Sequence, residues 1–258
     1  MADKLRLGGM ALRNGVLVHG PTSWACAVRL PDGSIKVVSE RKRVIGNRIQ
    51  NPLVRGPARM LEALAVLPAL KRSLPEAKLP FEQPRMIAAV LASAIGVRVV
   101  RGSKLTPAAQ ELAAGMLALT PALLSLRGGE LAAYHGAEHI SIGTYEHGEP
   151  RSREHERCGS HLVGPLLVTS AAANAVASTV PPRYRGPART AASFGGLAAA
   201  TELFGWMVRN PERPLARALA KPGHELQHRY ATKEPTPEQV EVAEAALNAC
   251  LEREAATA

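Results

Sequence analysis

At 258 residues the chain is long enough for one large domain or two small ones. A formal net charge of +10 calls for a partner or compartment that tolerates basic surface, either nucleic acid or a membrane with basic cytoplasmic segments. Aromatic content of only 3% leaves few platforms for stacked bases and counts against nucleic acid.

Three widely spaced cysteines, Cys26, Cys158 and Cys250, form no disulfide framework and point to a reducing, cytoplasmic setting. The first residues, Met1 to Arg6, carry no apolar core of a secretory signal. Trp24, Cys26, Val28 and Leu30 alternate with Ala25, Ala27 and Arg29, and Pro31-Asp32-Gly33 is turn chemistry before Ile35, Val37 and Val38. This predicts a β-hairpin over about 23–40. The run Arg41-Lys42-Arg43 behind it reads as a solvated strand end.

From Gly56 the period changes. Met60, Leu61, Leu64, Leu67 and Leu70 recur at helical spacing, and Pro68 should interrupt that helix. Prolines 75, 80 and 84 mark a loop. The helix suits either a membrane surface or an ordinary core.

Four apolar stretches follow, at 86–100, 106–126, 161–180 and 190–208. A membrane span needs about 20 mostly apolar residues, and the third stretch has no charge between Leu162 and Val180. Glu111, Glu202 and Arg98 interrupt the others. The pattern predicts about four membrane helices, with both chain ends and the 127–160 loop on the side richest in lysine and arginine, the cytoplasmic one. Arg183, Arg185 and Arg189 in the short opposite loop argue against that orientation. Glu202 inside a span should face a bundle interior or a polar cavity.

The central loop carries the chemistry. Gly128-Gly129 should break the preceding helix and Glu130 should start a new one. On it His135, Glu138, His139, Ile142 and Glu146 share one stripe, with neighbouring Cβ atoms roughly 5–6 Å apart. His135, Glu138 and His139 form the H-x-x-E-H arrangement, in which two imidazoles bind a cation and a carboxylate flanks it. His155 and Cys158 could complete the ligand set. If all four bind, the shell is closed and structural. If one stays free, a metal-bound water can sit near Glu138, which would accept its proton. A divalent metal, zinc by its ligand types, is the expected cofactor. His147 and His161 lie nearby without a recommending spacing.

Lys221-Pro222-Gly223 should end the apolar region. Thr236-Pro237-Glu238-Gln239 is a helix start with threonine as N-cap, and Val240, Val242, Ala243, Ala246, Leu247 and Leu251 form an apolar stripe to about Glu254. That stripe needs a partner, either the rest of the chain, a second copy in a homo-oligomer, or another protein. Three regions result: 1–84 with the hairpin and amphipathic helix, 85–210 as an apolar bundle carrying the 127–160 loop, and 211–258 as a cytoplasmic helical segment. The fold class is mainly α.

Several ordered segments resemble one family. They are Gly8-Gly9, Asn14-Gly15-Val16, Gly20-Pro21, Ala27-Val28-Arg29, Pro31-Asp32-Gly33 and Arg55-Gly56 with Glu62-Ala63-Leu64. The motif from Tyr134 to His139 with Tyr145-Glu146, then Arg157-Cys158-Gly159, continues the series. Thr232-Lys233-Glu234-Pro235 with Gln239, Glu241-Val242-Ala243 and Ala246-Leu247 completes it. Together they resemble the YqhQ-like family, family of unknown function 1385. The resemblance implies bacterial, multi-pass inner-membrane residence and metal-dependent chemistry, with no established substrate. The family usually carries glutamine and glutamate where this chain has Met10 and Asn14, and lysine where it has Ile140. The function expected is a membrane-embedded metal-dependent hydrolase using Glu138 and a metal-bound water. The alternative is a non-catalytic membrane factor with a structural metal or histidine cluster. A soluble nucleic-acid-binding protein is the third reading.

Overall fold

A computed structural model of the chain describes residues 4–42, 49–126 and 129–256. Arg43, at the end of the basic run, and Gly128, in the expected helix break, lie outside the described residues. Four strands, β1 (Gly8–Leu12), β2 (Gly15–His19), β3 (Ser23–Arg29) and β4 (Ile35–Arg41), form an antiparallel meander in chain order. The expected hairpin is its second half, with Cys26 opposite Val38 and a left-handed Gly33 (φ 86°) in the turn. The small hairpin is therefore corrected to a four-stranded sheet.

Strands β1 and β2 left no alternating signal because the sheet is covered on both faces. One face buries Val16, Val18, Ala25 and Ala27 under α5 (Glu130–His147) and α9 (Pro237–Ala255). The other buries Leu12, Leu17, Trp24, Cys26 and Val28 against Leu70 and Leu74. Leu70 belongs to α2 (Leu67–Ser73), which is separated from α1 (Pro52–Leu64) just before Pro68, as the proline requires. Lys42 is drawn out of solvent by Glu62 at 3.0 Å, so the basic run is only partly a solvated strand end.

Helices α3 (Pro84–Arg101), α4 (Pro107–Leu126), α6 (Val163–Ser178) and α7 (Arg185–Arg209) follow the four apolar stretches. They pack as two hairpins, α3 with α4 and α6 with α7, joined where α4 meets α6. Among the described residues two segments, Ala108–Leu126 and Gly159–Ser178, are long and apolar enough to cross a membrane. The expectation of four is therefore met in part, since arginines at both ends of α7 and at the end of α3 dilute the hydropathy of those two helices.

Helix α8 (Pro214–Leu226) runs through Pro222-Gly223, residues that usually break helices. Gly223 is needed for contact there: a Cβ would come within 2.6 Å of the Ser160 carbonyl. After α8 a π-helical turn spans Gln227–Ala231. Helix α9 starts as expected, with Thr236 and Gln239 bonded reciprocally in a capping box. Its apolar stripe is covered by the sheet of the same chain, and Glu254 near its end is buried. The Glu254 carboxylate accepts from the Thr22 amide and hydroxyl and the Ser23 amide at 2.7–2.8 Å, which ties the helix to the turn between β2 and β3.

Candidate metal centre

Helix α5 begins at Gly129 (φ 91°) and ends at Gly148 (φ 77°), both in backbone conformations that favour glycine. Within it Glu138, His139 and Ile142 are buried, and the predicted stripe faces the protein interior. Close approach makes this possible. A Cβ on Gly136 would lie 2.2 Å from the Lys233 carbonyl, so only glycine lets α5 seat against the segment before α9. The Lys233 amide donates to the Ala132 carbonyl at the same contact.

His135, His139 and Cys158 present one ligand atom each within 4.8 Å of one another, and they are the metal-ligand grouping found among the described residues. Cys158 Sγ lies 3.5 Å from His135 Nε2. Zinc–nitrogen and zinc–sulfur bonds of ordinary length at a tetrahedral angle place such atoms about 3.5–3.6 Å apart, so this pair is already at ligand spacing. The two imidazole rings stand 4.4 Å apart between centroids.

Their tautomers are fixed by backbone. His135 Nδ1 lies 2.8 Å from the Ala231 carbonyl, and His139 Nδ1 lies 2.8 Å from the Arg153 carbonyl. A carbonyl only accepts, so each Nδ1 carries the proton and each Nε2 keeps its lone pair for the site. Burial, with His135 beside it, holds the His139 pKa far below the usual imidazole range, so the ring stays neutral. The π-helical turn brings the Ala231 carbonyl to His135, and Gln227 anchors that turn. Its side-chain amide accepts from the His155 amide at 2.9 Å and donates to Ser160 Oγ at 2.8 Å.

His155 is adjacent but differently employed. Its Nε2 lies 3.1 Å from Glu146, and its Nδ1 accepts from the Arg157 amide at 3.2 Å. The Nε2 therefore holds the proton, and neither ring nitrogen offers a lone pair to the trio. Glu146 also pairs with the Arg157 guanidinium, which makes it a brace for the 155–158 segment.

Glu138 lies beside the trio, with Oε2 3.8 Å from His135 Nε2. Burial pushes its carboxyl up to about 7, and His135 opposes that shift. It packs on β1: a Cβ on Gly9 would come within 2.3 Å of Glu138 Oε1. This gives the Gly8-Gly9 motif a physical reason. A cavity of about 390 Å³ opens on these groups, with Gly9, Met10, Leu126, Leu131 and Arg157 among its walls. Leu126 is also the last residue of a candidate span.

Other sequence candidates fall elsewhere. Glu202 hydrogen-bonds Arg55 of α1 at 2.6 Å and does not reach the cavity. His161 lies 3.1 Å from the Gln227 amide, and His147 lies 3.4 Å from Glu156. Asn14 bonds the carbonyls of Arg29 and Glu76 and the Lys78 amide, away from the trio, so of the two N-terminal departures only Met10 faces the site. Sequence reasoning missed Gln227 and the Arg153 and Ala231 carbonyls. Backbone acceptors leave no mark in side-chain chemistry, and Gln227 stands outside every spacing motif.

No curated protein and no solved structure matches the chain. A family model described as protein of unknown function (DUF1385) matches residues 130–253. That stretch runs from the first residue of α5 almost to the end of α9 and contains His135, Glu138, His139, Cys158 and Gln227. On this match residues 130–253 belong to the DUF1385 family.

Proposed function

We propose that this is a membrane-embedded, metal-dependent hydrolase whose centre is His135, Glu138, His139 and Cys158. One observation carries the reading: two imidazoles with fixed tautomers and a thiol converge within 4.8 Å, beside a buried carboxylate, in an open cavity. The residues fit a divalent ion, and the thiol with two imidazoles favours zinc over hard cations. When bound, the ion supplies Lewis acidity. His135 and His139 orient their lone pairs through Nδ1–H bonds to backbone, and Cys158 binds as its thiolate. Glu138, held against β1, takes up the proton of the attacking water at Oε2. Glu146 keeps His155 protonated on Nε2 and braces Cys158 through the intervening turn.

The engagement of His155 favours three protein ligands over a closed shell of four, and so favours the enzyme over the non-catalytic membrane factor. In the membrane part of the proposal α3, α4, α6 and α7 all span an inner membrane, with the centre on the cytoplasmic side. Support comes from the uncovered apolar side chains near mid-helix, such as Leu91 and Met116, and from three free cysteines that suit a reducing compartment. At 1.5 Å per residue α3 is about 27 Å long and α7 about 37 Å, close to or beyond the hydrocarbon thickness.

Metal analysis of detergent-purified protein beside complementation of a null strain tests the centre. His139→Ala is expected to lose metal. Glu138→Gln is expected to keep metal and fold but fail to complement, since losing a general base costs about 10²–10⁴ in rate. Gly9→Ala should behave like Glu138→Gln, because the added methyl displaces that carboxylate without touching the ligands. Full complementation by Glu138→Gln moves the assignment to the non-catalytic factor.

A further inference from the structure

We propose that a second cavity, between the N-terminal arm, the end of α7 and α8, binds the head of an anionic phospholipid. Its volume is about 1110 Å³, and it is distinct from the metal-site cavity although Arg157 borders both. Its walls hold five cations, Lys4, Arg6, Arg157, Arg209 and Arg217, against two carboxylates, Glu146 and Glu156.

Several of these charges are already satisfied. Arg157 pairs with Glu146, Arg217 with Glu212, and Glu156 with His147 and Arg151. Lys4 donates to the Tyr145 carbonyl at 2.5 Å. Among the described residues neither Arg6 nor Arg209 comes within ion-pair distance of a carboxylate, and both are exposed. Arg209 feels Glu202 only at longer range, and Glu202 itself pairs with Arg55. Two guanidinium groups therefore stand open on one cleft. Guanidinium matches phosphate oxygens in a bidentate way, which makes a phosphate ester the fitting anion.

The other walls decide between a free anion and a lipid. Phe204, Met207 and Val208 line the cavity from the last two turns of α7, with Leu5 opposite. An inorganic anion would leave that apolar surface uncovered, whereas the glycerol backbone and first methylenes of a lipid would cover it. Arg209 ends α7 on the side where α6 begins, and Arg185 stands about 37 Å away at the other end. In a spanning α7 this places the cleft at headgroup depth, where exposed arginines meet anionic lipid. The proposal rests on the membrane reading of α7 and not on the metal centre.

The test uses full-length protein in non-ionic detergent, titrated with three probes. These are a short-chain phosphatidylglycerol, the phosphatidylcholine of equal chain length, and glycerol 3-phosphate, with bound mass read by native mass spectrometry. The phosphatidylglycerol is expected to bind more tightly than the other two. The double variant Arg6→Gln, Arg209→Gln should weaken it by about 30-fold, at roughly one unit of surface-arginine attraction each, and leave phosphatidylcholine unchanged. Metal content should not move. Equal binding of the two lipids overturns the proposal, as does unchanged affinity in the variant or glycerol 3-phosphate binding as tightly as the lipid. The lipid comparison on wild-type protein stands even if the variant fails to fold. Release of the protein from membranes by carbonate overturns the membrane reading separately, whatever the titration gives.

Discussion

Trp24, Leu17 and Leu70 in the sheet unit are at most 1% exposed, whereas Leu91, Met116, Val176 and Phe194 in the bundle are 60–70% exposed. The sheet unit, made of β1–β4, α2, α5 and α9, buries its apolar groups on both faces within the chain. The four-helix bundle is built from equally apolar sequence yet leaves much of it outward. Large contiguous apolar patches are rare on water-soluble proteins. One unit is completed by its own packing, and the other leaves apolar side chains that the proposed membrane would cover. The candidate metal centre lies where the two meet, on a helix that packs on the sheet and follows directly after α4.

The contrast can be broken from either side. Trp24→Ala removes a large fully buried side chain from the sheet unit. It should cost about 3–5 kcal/mol, read as a large fall in the thermal midpoint of detergent-purified protein. The same truncation at Phe194, 69% exposed, should move that midpoint little. A comparable loss at both positions would erase the distinction.

Met116→Arg probes the other side. Met116 lies midway along α4 and is 65% exposed. A surface substitution in water typically changes stability by less than about 0.5 kcal/mol. An arginine at the centre of a span costs about 2.5–3.5 kcal/mol of insertion. The expected outcome is a marked drop in the carbonate-resistant fraction. Wild-type levels there would make α4 a water-facing helix.

The smallest effect sharpens the sheet unit itself. Thr236→Ala removes the N-cap of α9, whose stripe covers the sheet, and should cost about 1 kcal/mol. Because α9 closes the face on which α5 packs, this loss should appear in the same unfolding transition as Trp24→Ala. A separate transition for α9 would show that it closes the core less firmly than its burial indicates.

Local chemistry made much of this legible before any tertiary contact was known. Thr236 and Gln239 fit a capping box, Pro68 interrupts a helix, and His135, Glu138 and His139 fall on one face at any helical geometry. Those features depend on residues within one or two turns of each other. The strands β1 and β2 were not legible, because two-sided burial erases the alternation that marks a half-buried strand. Helix α8 running through Pro222-Gly223 was not legible either. Its glycine serves a contact with the Ser160 segment 63 positions earlier, and helix propensity yields to that packing.

The sequence by itself determined the candidate ligand types and their spacing on α5, since side-chain identity and a 3.6-residue period suffice for both. Only the tertiary structure decided which of the four candidates converge. Cys158 is carried to His135 by the 148–158 loop, while His155, three residues earlier, is turned away by Glu146 and the Arg157 amide. The tautomers of His135 and His139 were likewise decided there, by the Ala231 and Arg153 carbonyls, whose positions come from chain segments 96 and 14 residues away. Ligand direction depends on hydrogen bonds to backbone atoms, and every residue carries the same backbone acceptor, so that information appears only when the chain is folded.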